Sequence, residues 1–170
     1  KFDMLEGKVE GYERYLDFKK GLLKRSLVWT SPHGKKINIE IERIISLAHK
    51  HIGTIKYTVT PLNFNGKIKI ESSLKGNVQN SHHLRDRSPL LIEQKGIDSK
   101  FSYLMVTTKN SDISIGSTIY NKLMGIEEKS LLREENIEGE NIKEVYEIDA
   151  KQDKTYRLEK YAAFYTARDE

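Results

Sequence analysis

The sequence predicts an all-β protein built as a two-sheet antiparallel β-sandwich. Short apolar runs alternate with polar residues and recur at spacings of roughly 8 to 12 residues, which is typical of such sandwiches. Clusters of Gly, Pro, Asn, Asp and Ser separate the runs, and no segment requires a long helix. Because 170 residues can bury one sizeable core but not two, we predict a single β-sandwich domain over residues 1–170.

The first half of the chain carries the clearest strand patterns. Residues 1–15 form short strand-like pieces broken by Gly7 and Gly11, and Ser31-Pro32-His33-Gly34 is a turn sequence. Asn65-Gly66 predicts a hairpin between the two strands that flank it, so the first half is read as an antiparallel meander. The strands predicted here cover residues 22–30, 37–42, 52–60 and 67–74.

The second half begins with a predicted long loop over residues 75–100, in which only residues 90–93 are apolar enough for a short strand. Residues 121–133 fit neither a helix nor a strand clearly and are predicted to be irregular. The remaining strands are predicted over residues 101–108, 113–120, 129–137, 141–148 and 155–166.

Apolar side chains of one parity predict which face of the third strand meets the core. The residues expected there are Ile37, Ile39, Ile41, Ile45 and Leu47. Arg43 has the same parity, and an unpaired buried guanidinium is costly. We therefore expect either a bulge that turns Arg43 outward or an ion pair with Asp17. Trp29, the single tryptophan, is predicted to be a core residue rather than a platform for sugar stacking.

Composition argues against several classes of function. The chain has no cysteine and a net charge of +4, which is ordinary for a protein surface. Its basic patch, around Lys19 to Lys36, has few aromatic residues between the charges, so we do not predict nucleic-acid binding. There is no apolar run long enough to cross a membrane. His49 and His51 lack the spacing and further ligands of a metal site, so no metal is predicted.

Two features could carry chemistry. Glu40 and Glu42 lie on one strand face with Cα atoms about 7 Å apart, a separation that inverting glycosidases use for their carboxylates. Those enzymes place the two groups on opposite sides of a sugar, whereas these are neighbours on one solvated face. No catalytic residue is therefore predicted. His82, His83 and Arg85, in the long loop, are predicted to face a neighbouring domain or a glycan, the alternative being a solvated loop.

Four segments carry a resemblance to a known family. They read RYLDFKKGLL from Arg14, ERIISL from Glu42, YTVTPL from Tyr57 and IESSLKGNV from Ile70. Together they resemble the N-terminal domain of glycoside hydrolase family 65, which contains the maltose, kojibiose and trehalose phosphorylases. The resemblance covers the whole chain. The segment from Tyr161 to Asp169 resembles the end of that domain, and an earlier portion of the domain would precede Lys1.

The resemblance implies a large sandwich of the galactose mutarotase type that precedes an (α/α)6 barrel. In the family the barrel holds the general acid and the phosphate-binding residues, and no position here matches those motifs. It implies a cytoplasmic parent enzyme that needs no cofactor and cleaves an α-glucoside with inorganic phosphate as a substrate. The partners implied are the catalytic barrel of the same polypeptide and a second copy in a homodimer, with no nucleic acid, membrane or metal.

Two alternatives stay open at this point. The chain could act alone as a carbohydrate-binding β-sandwich module, or it could be a free-standing basic β-domain that binds nucleic acid. Sugar titration would separate the first alternative from a purely structural domain, and the salt dependence of nucleic-acid binding would reveal the second.

Overall fold

The computed structural model describes residues 2–76, 78, 89–126 and 131–169. All pairing between its strands is antiparallel, and the strands form two sheets, as predicted. Within these residues no helix has the length and apolarity that a membrane crossing requires. The strands are β1 Lys8–Asp17, β2 Leu22–Thr30, β3 Lys36–Ile45, β4 Ile52–Pro61, β5 Gly66–Lys75, β6 Leu90–Asp98, β7 Phe101–Thr108, β8 Ser114–Met124, β9 Leu131–Glu138, β10 Asn141–Ala150 and β11 Tyr156–Thr166.

The large sheet has eight strands in the order β1-β2-β3-β4-β11-β8-β7-β6. It consists of two meanders, β1 to β4 and β6 to β8, in which strands that are neighbours in the chain are also neighbours in the sheet. The C-terminal strand β11 lies between them and pairs with β4 on one side and with β8 on the other. The last strand of the chain therefore joins two halves of the sheet that have no direct pairing with each other.

The small sheet has three strands in the order β5-β10-β9 and covers part of one face of the large sheet, which we call the inner face. Two apolar clusters lie between the sheets. One combines Ile148 and Tyr146 of β10 with residues of β2, β3, β4 and β11, and the other combines Ile142 of β10 with residues of β7 and β8. Since β10 contributes to both clusters, the small sheet runs across the strands of the large sheet rather than along them.

The prediction of a hairpin at Asn65-Gly66 is wrong. The strands on either side, β4 and β5, belong to different sheets, and β5 pairs with β10 instead. Asn65 serves the connection through its side chain, whose Oδ1 accepts a hydrogen bond from the backbone N–H of Gln152 at 2.8 Å. Turn residues allow a change of direction, but they do not determine whether the next strand stays in the same sheet.

Three predicted interruptions are absent from the strands. Gly11 does not end β1, because a register shift between Glu10 and Glu13 accommodates it as a bulge and its φ is +59°. The strand predicted over residues 90–93 extends through β6 to Asp98, again with a register shift. The segment from Asn121 is not irregular at its start, since β8 continues to Met124 on the pairing that β11 provides.

The predicted inner face of β3 is correct at one end only. Ile39 and Ile41 are buried in the core, and Ile37 packs against it. Ile45 and Leu47 are 71% and 98% exposed, so their prediction as core residues is wrong. The alternation of side chains identified the face correctly, but the small sheet does not extend over Ile45 at the end of β3, and Leu47 lies beyond the strand.

Arg43 also departs from its prediction. No bulge turns it outward, because β3 keeps a regular register with both neighbours there. Asp17 does not pair with it either, since its carboxylate accepts a hydrogen bond from the backbone N–H of Lys20 at 3.1 Å. Arg43 lies on the uncovered part of the inner face and is exposed, so it needs no partner to avoid the cost of burial.

Candidate functional site

The carboxylate pair on β3 is held by lysines on the neighbouring strands. Lys24 Nζ lies 3.4 Å from Glu40 Oε2 and 3.8 Å from Glu42 Oε1, and Lys56 Nζ lies 2.9 Å from Glu42 Oε2. The hydrogen bond from Lys56 lowers the pKa of Glu42, although burial opposes this effect. A general acid in glycoside cleavage needs a raised pKa, so this arrangement works against such a role.

A shallow groove runs beside this pair on the outer face of the large sheet. Leu22 and Ile44 supply apolar surface, and Glu42, Lys56, Glu159 and Tyr161 supply polar groups. Glu159 also has partners: Arg157 Nε lies 3.1 Å from its Oε1 as an ion pair, and the Tyr161 hydroxyl donates a hydrogen bond to its Oε2 at 2.9 Å. The groove could hold a polar ligand, but its two carboxylates are engaged with cations or hydroxyls.

Three aromatic rings continue from the groove across the outer face. Tyr120 of β8 is directly opposite Phe101 of β7 and Tyr161 of β11 in the strand register. Its ring centroid lies 5.7 Å from that of Phe101 and 6.0 Å from that of Tyr161, with the second pair stacked. We call these three residues the aromatic row. Exposed rings in a row on a flat sheet can stack against the apolar faces of sugar rings.

The most enclosed polar group is Glu144 of β10, whose side chain is fully buried between the sheets. Its carboxylate accepts hydrogen bonds from Ser102 Oγ at 2.6 Å and Tyr146 OH at 2.6 Å, and Arg133 Nη2 lies 3.0 Å from it. Ser72 donates a further hydrogen bond to Asn121 nearby, at 3.0 Å. The network joins β5, β9 and β10 of the small sheet to β7 and β8 of the large one.

Competing effects determine the charge of Glu144. Burial alone would raise its pKa, but the hydrogen bonds from Ser102 and Tyr146 and the charge of Arg133 outweigh burial and lower the pKa. Burial and the neighbouring carboxylate raise the pKa of Tyr146. The site therefore holds an ionised carboxylate and a neutral phenol at pH 7. Because the carboxylate is fully buried and its partners come from both sheets, we assign this network to structure.

Sequence reasoning missed Glu144, although the signal was present. Within β10, Glu144 has the parity of Ile142, Tyr146 and Ile148, which all face the core. A charged residue in the middle of an apolar face of a central strand indicates a buried charge with dedicated partners.

His51, one of the two histidines considered as metal ligands, has ordinary structural contacts. His51 Nδ1 lies 2.8 Å from the carbonyl oxygen of Phe164, its Nε2 lies 3.8 Å from Asp169, and its ring stacks on Tyr165. Among the described residues, no group of three or more His, Asp or Glu side chains is placed to hold a metal ion. His82, His83 and Arg85 lie outside the described residues, so their predicted role stays a prediction.

Trp29 is a core residue, as predicted. It is 8% exposed, its Nε1 donates a hydrogen bond to the carbonyl oxygen of Glu6 at 2.7 Å, and the ring of Phe2 meets it edge to face. The ring is therefore not available for sugar stacking.

Comparisons with known proteins agree with the resemblance. The model of the glycosyl hydrolase family 65 N-terminal domain matches residues 1–170. An alpha,alpha-trehalose phosphorylase from Thermoanaerobacter brockii is 32% identical over 99% of this chain and 22% of its own length. A kojibiose phosphorylase from Caldanaerobacter subterraneus subsp. tengcongensis is 32% identical over 93% of this chain and 22% of its own length.

A solved structure shows the same fold. It is described as a kojibiose phosphorylase from the human microbiome, and it superposes with a TM-score of 0.83 at 17% identity over 99% of this chain and 21% of its own. The chain thus spans about a fifth of the relatives it matches. By its sequence match over residues 1–170, this chain belongs to glycoside hydrolase family 65 and corresponds to the family's N-terminal domain.

Proposed function

We propose that this chain is the non-catalytic N-terminal domain of a disaccharide phosphorylase that acts on trehalose, kojibiose or maltose. In this proposal it packs on an (α/α)6 catalytic barrel of the same polypeptide and supports a homodimer. The parent enzyme works in the cytoplasm, with inorganic phosphate as a substrate and with no metal or other cofactor.

One observation carries the proposal. The N-terminal domain model matches the whole chain, yet the chain spans only about 22% of the phosphorylases that it resembles. The chemistry of its carboxylates also supports a non-catalytic role for this chain. Inversion needs an acid and a nucleophile on opposite sides of the sugar, whereas Glu40 and Glu42 share one open face and are paired with lysines.

The test is an assay of the purified chain with each disaccharide and inorganic phosphate. We expect no glucose 1-phosphate above the buffer control, because the enclosed Glu144 has a lowered rather than a raised pKa, and Glu40 and Glu42 lie together on an open face. The full-length parent enzyme is the positive control. Product formed by the chain and abolished by Glu40→Ala or Glu42→Ala would overturn the proposal and make the carboxylate pair an active site.

A second candidate function is carbohydrate binding by the aromatic row, which the exposed rings of Phe101 and Tyr161 favour. Titration with maltose, trehalose and kojibiose, followed by NMR, should then shift the tyrosine resonances of the row. Tyr161→Ala should abolish these shifts, and Phe18→Ala, which removes an exposed ring elsewhere, should not. Shifts that are absent, or that survive Tyr161→Ala, would eliminate this candidate.

A further inference from the structure

Three arginines lie side by side on the uncovered part of the inner face. Arg14 of β1 is directly opposite Arg25 of β2 in the strand register, and Arg43 follows on β3. Together with Leu23 and Ile41 they line one shallow pocket. We call Arg14, Arg25 and Arg43 the arginine cluster.

Among residues 2–76, 78, 89–126 and 131–169, the cluster has no anionic partner. Arg25 lies over the ring of Tyr12, with its Cζ 6.0 Å from the centroid. None of the three guanidinium groups takes part in an ion pair or side-chain hydrogen bond within the residues that the structure describes. Like charges directly opposite in a sheet repel each other, so the arrangement is unfavourable until an anion compensates it.

Several cations on the outer face of the large sheet, by contrast, are paired with carboxylates. Lys24 and Lys56 are paired with Glu40 and Glu42 on the outer face, and Arg157 pairs with Glu159. These three outer-face cations thus have carboxylate partners, whereas the arginine cluster has none in the described part of the chain.

The surroundings of the cluster favour a protein surface over a small anion. Leu16 pairs with Leu23 in the strand register, and Ile45 follows Arg43 on the same face of β3. Both Leu16 and Ile45 are large, apolar and exposed. Arginine combined with exposed apolar residues is the composition of the buried centre of protein interfaces.

We propose that the arginine cluster docks a carboxylate-bearing surface of the parent enzyme that lies outside these 170 residues. The proposal rests on the proposed function, which makes this chain about a fifth of a longer polypeptide. Planar guanidinium groups bind carboxylates through two parallel hydrogen bonds, so Asp or Glu side chains of the docked surface would satisfy the cluster. Leu16 and Ile45 would be covered by the same contact.

The test is arginine-specific labelling of the full-length parent enzyme with phenylglyoxal, read by mass spectrometry. Arg157, whose side chain is 35% exposed on the outer face, is the internal control. With a free inner face, the more exposed Arg14 and Arg43 must react faster than Arg157. With the surface docked, we expect the order to be reversed, with Arg14 and Arg43 slower by about tenfold, as groups that react only after local opening are.

Other binding partners of the arginine cluster would give different labelling results. If Arg14 and Arg43 react faster than Arg157 under all conditions, the docking proposal is wrong. Protection that requires added inorganic phosphate would replace it with a small-anion site, and protection lost on dilution would replace it with contact between two copies. These outcomes leave the proposed function intact, because that function is decided by the glucose 1-phosphate assay.

A variant pair provides a second readout. In the full-length enzyme, Arg43→Gln should lower the melting temperature of the unit that contains this domain, and Arg43→Lys should restore part of the loss. Lys122→Gln, on the outer face, is the matched control and should leave the melting temperature unchanged. If Arg43→Gln raises the melting temperature, relief of repulsion is the only effect of the substitution, and the cluster has no docked partner.

Discussion

Glu144→Ala should destabilise this chain by about 3–5 kcal/mol, because the substitution removes a buried, ion-paired carboxylate and leaves the buried hydroxyls of Ser102 and Tyr146 without their acceptor. Arg133, Tyr146 and Ser102 would each lose a hydrogen bond or ion pair to the carboxylate. Chemical denaturation followed by circular dichroism measures the change in the free energy of unfolding.

The matched control lies on the same strand. Glu147→Ala removes a carboxylate whose partners, Lys67 and Lys69, stand on the surface, so we expect little change. Equal effects of the two substitutions would contradict the buried network.

The same carboxylate makes stability depend on pH. Since the folded pKa of Glu144 is lowered, its contribution is complete above the unfolded value of about 4.3 and is lost as the pH falls through the folded pKa. The difference in unfolding free energy between the original chain and Glu144→Gln should therefore shrink below about pH 4. A difference that is constant from pH 7 to pH 3 would show that folding does not lower the pKa of Glu144, and a difference that rises as the pH falls from 7 to about 4 would show that Glu144 is protonated in the folded chain.

Ile39→Ala should cost about 2–5 kcal/mol, whereas Ile45→Ala should cost almost nothing. The two residues are chemically identical and lie on the same face of β3. Ile39 is 1% exposed beneath the small sheet, but Ile45 lies beyond its cover. Urea titration of both variants measures the difference. If Ile45→Ala were as costly as Ile39→Ala, the small sheet or another segment would have to cover the whole inner face.

The comparison of Ile39 with Ile45 also shows what sequence can predict. Alternation along β3 identified the face that points inward, because side-chain direction is a local property of a strand. How far that face is covered depends on β5, β9 and β10, which come from distant parts of the chain. The same limit explains the wrong hairpin at Asn65-Gly66: local residues determine the turn, whereas pairing with β10 determines the sheet.

The candidate sites also differ in how much of each could be predicted from local sequence. The open face of Glu40 and Glu42 followed from alternation, but their lysine partners required the cross-strand register. The aromatic row and the arginine cluster each combine residues from three strands, so no single segment of sequence reveals them. Glu144 could have been found from one strand alone, since its parity matches its buried neighbours.

The position of β11 has a consequence for synthesis of the protein. The two meanders can form as soon as each leaves the ribosome, but they share no pairing until the last strand arrives between them. Until then β4 and β8 each present an unpaired edge, and such edges are where other chains can add strands. A ribosome that stops before residue 156 would release two incomplete half-sheets, and the nascent chain would depend on chaperones for as long as both edges stay open.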